Sequence, residues 1–196
     1  MSRDAILARA RAHRVDPAPL PPLPASESRT PGDLIAPFTK MVEQVAGTCI
    51  QRAAGDDLSA IIRSRFPDAQ RIVSTVDEGP QSTFTVTAET APAELVRVQV
   101  AIIRGRFGVA ENAAIWVDDT GLPHRALPFV AEHLVVLLAP DTLVMDMHAA
   151  YAALAGQRPG YGVFISGPSK TADIEQSLVI GAQGPRSLLV LLDRFV

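Results

Sequence analysis

Apolar residues in this chain fall into two kinds of run. In the first half they recur at helical spacing: Leu34, Phe38, Met41, Val42 and Val45 share one face, which predicts a helix. A proline is tolerated only in a first turn, because further in it deletes a hydrogen bond and clashes with the preceding turn. The helix is therefore predicted from Pro37 to Ala46, with Gly47 as its stop. Leu58, Ile61 and Ile62 follow Asp56 and Asp57, predicting a second helix with acids at its positive end. Residues 48–53 and 71–75 read as short strands. Residues 81–87 alternate Thr, Phe, Thr, Val, Thr, the pattern of an exposed or edge strand.

The second half carries continuous runs instead. Residues 98–104, 113–117, 133–138, 161–166 and 187–192 are β-branched or apolar and bounded by Gly, Pro or acidic residues. Helices are predicted between the last three, at 142–154, where Leu143, Met147, Tyr151 and Leu154 share a face, and at 171–180. Strands apolar on both faces and separated by helices predict an α/β fold with a largely parallel sheet covered on both sides. Ligands in such sheets bind beyond the carboxyl ends of the strands.

Ahead of this region, residues 4–13 combine good helix formers with Asp4 early and arginines late, predicting a short helix aligned with its own dipole. Pro17, Pro19, Pro21, Pro22 and Pro24 then favour an extended linker, read as a spacer with a Pro-rich recognition ligand as the alternative. The division is thus residues 1–30, helix and linker, and 31–196, one α/β domain.

Composition narrows the function. The 196 residues are 47% apolar and 20% charged, and 18 Lys+Arg against 21 Asp+Glu give a net charge of −3. That describes a globular chain without the concentrated cationic face that nucleic acid requires. Cys49 is the only thiol, so the chain can form no internal disulfide, four-cysteine iron–sulfur cluster or cysteine-rich zinc site. No run approaches the ~18 apolar residues of a membrane span, and the N-terminus lacks a signal-peptide core. A cytoplasmic setting is expected.

Candidate chemistry is densest between Ile165 and Arg186. A strand ending at Ser166, a Gly167-Pro168 turn, and Ser169 or Thr171 capping the predicted helix would present free N–H groups beside Lys170, one of only two lysines, which reads as an anion or carboxylate site. The nearby Asp173 and Glu175 could instead satisfy the same dipole internally. The Lys-Thr pair does not make a P-loop, since Ser169 and Phe164 stand where glycines are required, nor does the turn make a nucleophile elbow. Glu111 precedes a strand in small and apolar surroundings, where desolvation would fit it as a general base or nucleophile; exposure on a loop, bonded to backbone, is the competing reading. His124-Arg125 in a loop could recognise a carboxylate or simply be solvated. His13, His124, His133 and His148 show no metal-ligand spacing, so no metal site is expected.

The string Gly167-Pro-Ser-Lys-Thr-Ala-Asp-Ile-Glu175, with Leu178-Val-Ile-Gly181 and Gly184-Pro185, resembles the lactate utilization protein C (LutC/YkgG) family of LUD domains. Val109-Ala-Glu-Asn112 and Arg125-Ala-Leu-Pro128 with His133 extend the resemblance. It implies a three-layer α/β/α fold like the NagB/RpiA/CoA-transferase superfamily, and a role with iron–sulfur partner proteins in oxidising L-lactate to pyruvate. This chain, without clusters or other cofactors of its own, would then be an accessory or substrate-handling component. The alternatives are a stand-alone enzyme or binding protein acting on a small carboxylate or acyl substrate through Glu111 and the Ser169–Thr171 turn, and a regulatory or scaffolding domain. Glu111, Ser169, Asp173 and Glu175 fall on matching positions, and Asn112, Gly167, Pro168, Lys170, Thr171, His124, Arg125 and Gln183 complete the candidate ligand set. Two departures stand out: Ala113 where relatives commonly carry Gly, and Gln183 where they often carry His, which loses a proton shuttle.

Overall fold

The structure, a computed structural model, describes residues 2–14, 18–19, 30–53, 55–157, 160–174 and 177–193. Helix α1 (Arg3–Ala12) is capped by Ser2, whose Oγ accepts from Ala5 N, and buries none of its residues. Pro17, Pro21, Pro22 and Pro24 lie outside the described residues, and so does the linker read from them.

The centre is a five-stranded sheet of β1 (Thr48–Gln51), β2 (Ile72–Ser74), β3 (Val100–Arg104), β6 (His133–Leu138) and β11 (Ser187–Leu192). Its order is β1-β11-β6-β3-β2 and every neighbouring pair is parallel. Successive residues of a strand point to opposite faces, which explains why these runs are apolar throughout. Leu134, Val136, Leu138, Leu188, Val190 and Leu192 pack on one side; Val135, Leu137, Leu189 and Leu191 pack on the other.

Helix α3 (Leu58–Arg65) covers the second side with Leu58 and Ile62. The first side carries α2 (Pro31–Gln44), through Leu34, Phe38 and Val42, and the short α5 (Leu127–Val130). It also carries a second sheet, ordered β7-β4-β5-β8, made of β4 (Phe107–Val109), β5 (Ile115–Asp118), β7 (Leu143–Val144) and β8 (Gly162–Ile165). Strand β5 runs antiparallel to both β4 and β8. The outer face of this sheet, including Phe107, Trp116 and Phe164, is closed by α6 (Met147–Leu154). A short helix α4 (Pro92–Leu95) precedes β3. The α/β class with a mostly parallel central sheet agrees with the sequence reading; the second, mixed sheet was not anticipated from it.

Several elements differ from expectation. Helix α2 begins six residues before Pro37, because Thr30 and Asp33 close its first turn: Thr30 N and Oγ1 both donate to Asp33 Oδ2, at 3.2 and 2.7 Å. Pro37 sits in the interior, and the buried stripe of Leu34, Phe38 and Val42 outweighs its cost of about 3 kcal/mol. The helix predicted at 142–154 is confined to α6; its first part is a 3-10 turn (Pro140–Thr142) followed by β7, since Leu143 pairs with Gly108 across the second sheet.

The helix predicted at 171–180 is instead an antiparallel hairpin of β9 (Lys170–Ile174) and β10 (Ser177–Ile180). Thr171, Ile174, Val179 and Ile180 are β-branched, and that preference prevails over a periodicity too short to decide. Glu175 lies outside the described residues. Residues 81–87 form no regular strand, yet they do lie along the edge of β2. Thr83 N donates to Ile72 O at 2.9 Å, while Ile72 N and Ser74 N donate to Thr83 Oγ1 and Ser82 Oγ, each at 2.8 Å. Hydroxyls take the place of half a ladder.

Candidate functional site

The second sheet and the hairpin bring most of the sequence-derived candidates into one neighbourhood. Strand β4 ends at Val109, and the chain turns through Ala110, Glu111, Asn112 and Ala113 into β5. Asn112 Oδ1 accepts from Ala114 N at 3.0 Å, fixing this turn. Ser166, just past β8, donates from Oγ to Asn112 O at 2.7 Å. That bond joins the Glu111–Asn112 turn to the Gly167–Thr171 segment.

The second half of the junction is a turn and not a helical tip, so the predicted array of free N–H groups at a helix start does not exist. Ser169 N donates to Pro185 O at 2.9 Å and Ser169 O accepts from Gly181 N at 2.8 Å. Gly167, Pro168 and Ser169 are thereby stitched to the Gly181–Pro185 turn that carries the exposed Gln183. Gly167 has φ +73, and a Cβ there would lie 2.4 Å from Val45 O and 2.5 Å from Lys170 Nζ. Only glycine permits this close approach of the turn to the end of α2. Burial pushes the Lys170 ammonium below its ordinary range. Asp173 is in β9, and Thr171 pairs with Val179.

Glu111 is exposed at the surface, as the loop reading has it, and not enclosed by the apolar residues beside it in sequence. Its Oε2 accepts from Met147 N at 3.1 Å, at the start of α6, where Asp146 Oδ1 accepts from Ala149 N at 2.8 Å. Two carboxylates therefore answer the positive end of one helix. Glu111 also lines a pocket of about 350 Å3 with Leu34, Pro37, Met145 and Asp146; neither Ser169 nor Lys170 is part of that lining. Glu111→Ala should cost about 0.3–1 kcal/mol, the usual worth of an exposed carboxylate at a helix start, read by urea denaturation, since the N-cap Asp146 stays in place.

His124 and Arg125 lie elsewhere. They follow the far end of β5 from Asn112, and four residues of strand separate the two ends by roughly 13 Å. Arg125 already has its carboxylate, Asp119, at 2.7 Å, and its guanidinium sits 5.5 Å from the Tyr161 ring centroid. His124 Nδ1 accepts from Ala126 N at 3.1 Å. These two residues hold a loop together, apart from the Asn112–Ser166 junction. Among the described residues, no three His, Cys, Asp or Glu side chains converge to hold a metal ion, and no helix is long and apolar enough to cross a membrane.

The LUD domain family matches residues 81–192, more than half of the 196-residue chain. The chain belongs to the LUD domain family. Lactate utilization protein C of Bacillus pumilus is 32% identical over 124 residues, covering 56% of this chain and 52% of that protein. Its namesake from Deinococcus radiodurans is 25% identical over 189 residues, 90% of this chain and 87% of that one. The uncharacterized protein YkgG of Escherichia coli is 28% identical over 102 residues, 49% and 44% of the two chains. The chain thus spans about half the length of the Bacillus pumilus and Escherichia coli relatives. A crystal structure of a DUF162 family protein from Deinococcus radiodurans shares the fold, with a TM-score of 0.63 at 19% identity over 84% of this chain and 99% of that one.

Within this LUD domain, the matched stretch takes in the Asn112–Ser166 junction and both of its turns. Ala113, the position where the family resemblance sets Gly, has φ +56 and is fully buried. A left-handed alanine costs roughly 1 kcal/mol in strain, and its buried methyl returns about 0.8 kcal/mol. Ala113→Gly should therefore change stability by less than about 1 kcal/mol, measured by urea denaturation, so the methyl is carried here at little net cost.

Proposed function

We propose that this LUD domain serves L-lactate utilization in the cytoplasm, as a cluster-free component that works beside iron–sulfur partner proteins in oxidising L-lactate to pyruvate. The observation that carries this reading is the LUD match over 81–192 together with relatives named lactate utilization protein C. One thiol cannot ligate a four-cysteine cluster, so the electron-carrying centres of this scheme belong to the partners. The contribution of this chain is to dock them or handle substrate through the Asn112–Ser166 junction, whose turns are held by the Asn112 side chain and by the Ser169 backbone. An enzyme centred on Glu111 is less well supported, because that carboxylate is exposed and engaged with the start of α6.

The test is deletion of the coding sequence in its host, followed by growth on L-lactate and on pyruvate as sole carbon source. Growth should fail on L-lactate alone and return on complementation, and a tagged chain should copurify with iron–sulfur proteins. Undiminished growth on L-lactate in a strain with no other lactate dehydrogenase would refute the proposal.

A further inference from the structure

A second pocket, of about 460 Å3, opens at the amino edge of the parallel sheet, lined by Phe66, Glu132, His133 and Ser187 among others. His133 and Ser187 are the first residues of β6 and β11 and are partners in register. His133 Nδ1 lies 2.8 Å from Ser187 Oγ, and Nε2 lies 3.9 Å from Glu132 Oε1. Phe66 holds the ring plane, with centroids 4.8 Å apart at 31°. Glu132 is held in turn by Arg186, Nη1 to Oε1 at 3.0 Å. Hydroxyl, imidazole and carboxylate thus follow one another, on residues 54 apart in sequence that no motif connects.

We propose that this pocket is an ester-hydrolysing site for a small activated acyl ester or thioester, with Ser187 as nucleophile, His133 as general base packed against Phe66, and Glu132 as the charge beside the imidazole. This goes beyond the role in lactate utilization and does not depend on it. A base lies within hydrogen-bond reach of the nucleophile, as an activated hydroxyl requires; Glu132, 3.9 Å from Nε2 and beyond hydrogen-bond distance, acts on the ring through its charge. If Nδ1 accepts from Ser187, the ring proton sits on Nε2, the nitrogen that faces Glu132. Burial pushes His133 below its ordinary range; Glu132 opposes this and Arg186 adds to it. The imidazole is then an unprotonated base at neutral pH, as the step requires. The volume lies within the span usual for small-molecule sites. Both reactive groups start strands of the central sheet, so their spacing is set by the ladder and not by a loop.

The chemistry balances with water as the second reactant. Ser187 Oγ attacks the acyl carbon while its proton passes to His133 Nδ1. The tetrahedral intermediate expels the alcohol or thiol, which takes that proton, leaving an acyl-Ser187 ester. Water, deprotonated by the same nitrogen, attacks this ester; the carboxylic acid leaves and Ser187 recovers its proton. Arg65 also lines the pocket and donates to Thr48 Oγ1 at 3.1 Å, so a cation stands on its wall.

The full chain would be treated with a fluorophosphonate and, separately, with p-nitrophenyl acetate. The expected result is label on the peptide carrying Ser187, located by mass spectrometry, and a nitrophenolate burst of about one equivalent. Ser187→Ala and His133→Asn should each lower the rate at least about 100-fold. The rate should fall as pH drops through the His133 titration, set by burial, Glu132 and Arg186 in a pocket that Arg65 and Asp68 also line, and Glu132→Gln should shift that midpoint downward. Wild-type protein that takes no label, or takes it elsewhere than Ser187, overturns the assignment, and that readout is independent of growth on lactate.

Discussion

Asp193→Ala is expected to cost about 3–5 kcal/mol, the usual penalty for removing one partner of a buried ion pair. Asp193 is 5% exposed and accepts from both Nε and Nη2 of Arg52 through one oxygen, Oδ2. Arg52 Nη1 also donates to Asp56 O at 2.7 Å, and the backbone N–H groups of Arg52 and Asp193 donate to Leu192 O and Leu138 O, each at 2.9 Å. The pair closes the carboxyl ends of β1, β11 and β6. Deleting the carboxylate removes the hydrogen-bonded counter-charge of Arg52 and leaves only the more distant attraction of Glu78. For a chain of this size the melting temperature should drop by roughly 10 °C. Arg52→Met combined with Asp193→Leu should recover most of that loss, since a matched apolar pair removes both charges together. A single-variant loss under about 1 kcal/mol in urea denaturation would show that the clasp carries little load.

Phe38→Ala should be of similar size, about 3–5 kcal/mol for a large core side chain. Phe38 is fully buried on α2, where it packs in the cluster that also includes Leu138 of the parallel sheet and Leu143 of the second sheet. A Cβ added at Gly108 would lie 3.0 Å from its ring, so β4 approaches Phe38 as closely as a glycine permits. The cavity therefore opens where helix and both sheets meet. Besides the loss in stability, amide exchange in β4, β7 and the Glu111 turn should accelerate more than in α3, which packs on the opposite face. Uniform acceleration across the chain would mean that the second sheet does not depend on this contact.

What the sequence revealed followed the range of the interactions involved. Strands β6 and β11 occupy the spans read from their apolar runs, because a strand buried on both faces needs only its own composition to be recognised. The presence of α1 and α3, read from helix formers or apolar spacing with acids near their starts, is equally local. The hairpin was missed because residues 171–180 mix polar and apolar positions without a decisive period, and β4 and β7 because they are three and two residues long. For Glu111 the sequence left two readings open, because small apolar neighbours say nothing about whether a turn ends at the surface; the fold has the exposed, backbone-bonded one. The link between Asn112 and Ser166 and the pairing of His133 with Ser187 arise from strand register, which no local pattern encodes. The residues themselves pointed to the Glu111 and Ser166–Thr171 segments and the family resemblance covers both; the fold joins them through the Ser166 bond to Asn112 O.

The hydroxyl-lined stretch beside β2 has a consequence for the molecule's solution behaviour. A terminal strand of a parallel sheet offers unpaired amides that another chain can adopt as a template for intermolecular pairing. Here Ser82 and Thr83 occupy those of Ile72 and Ser74, and because their partner is an irregular segment, it presents no new ladder in its place. The sheet is thus closed to further growth along that flank, a safeguard against aggregation built from two short polar side chains.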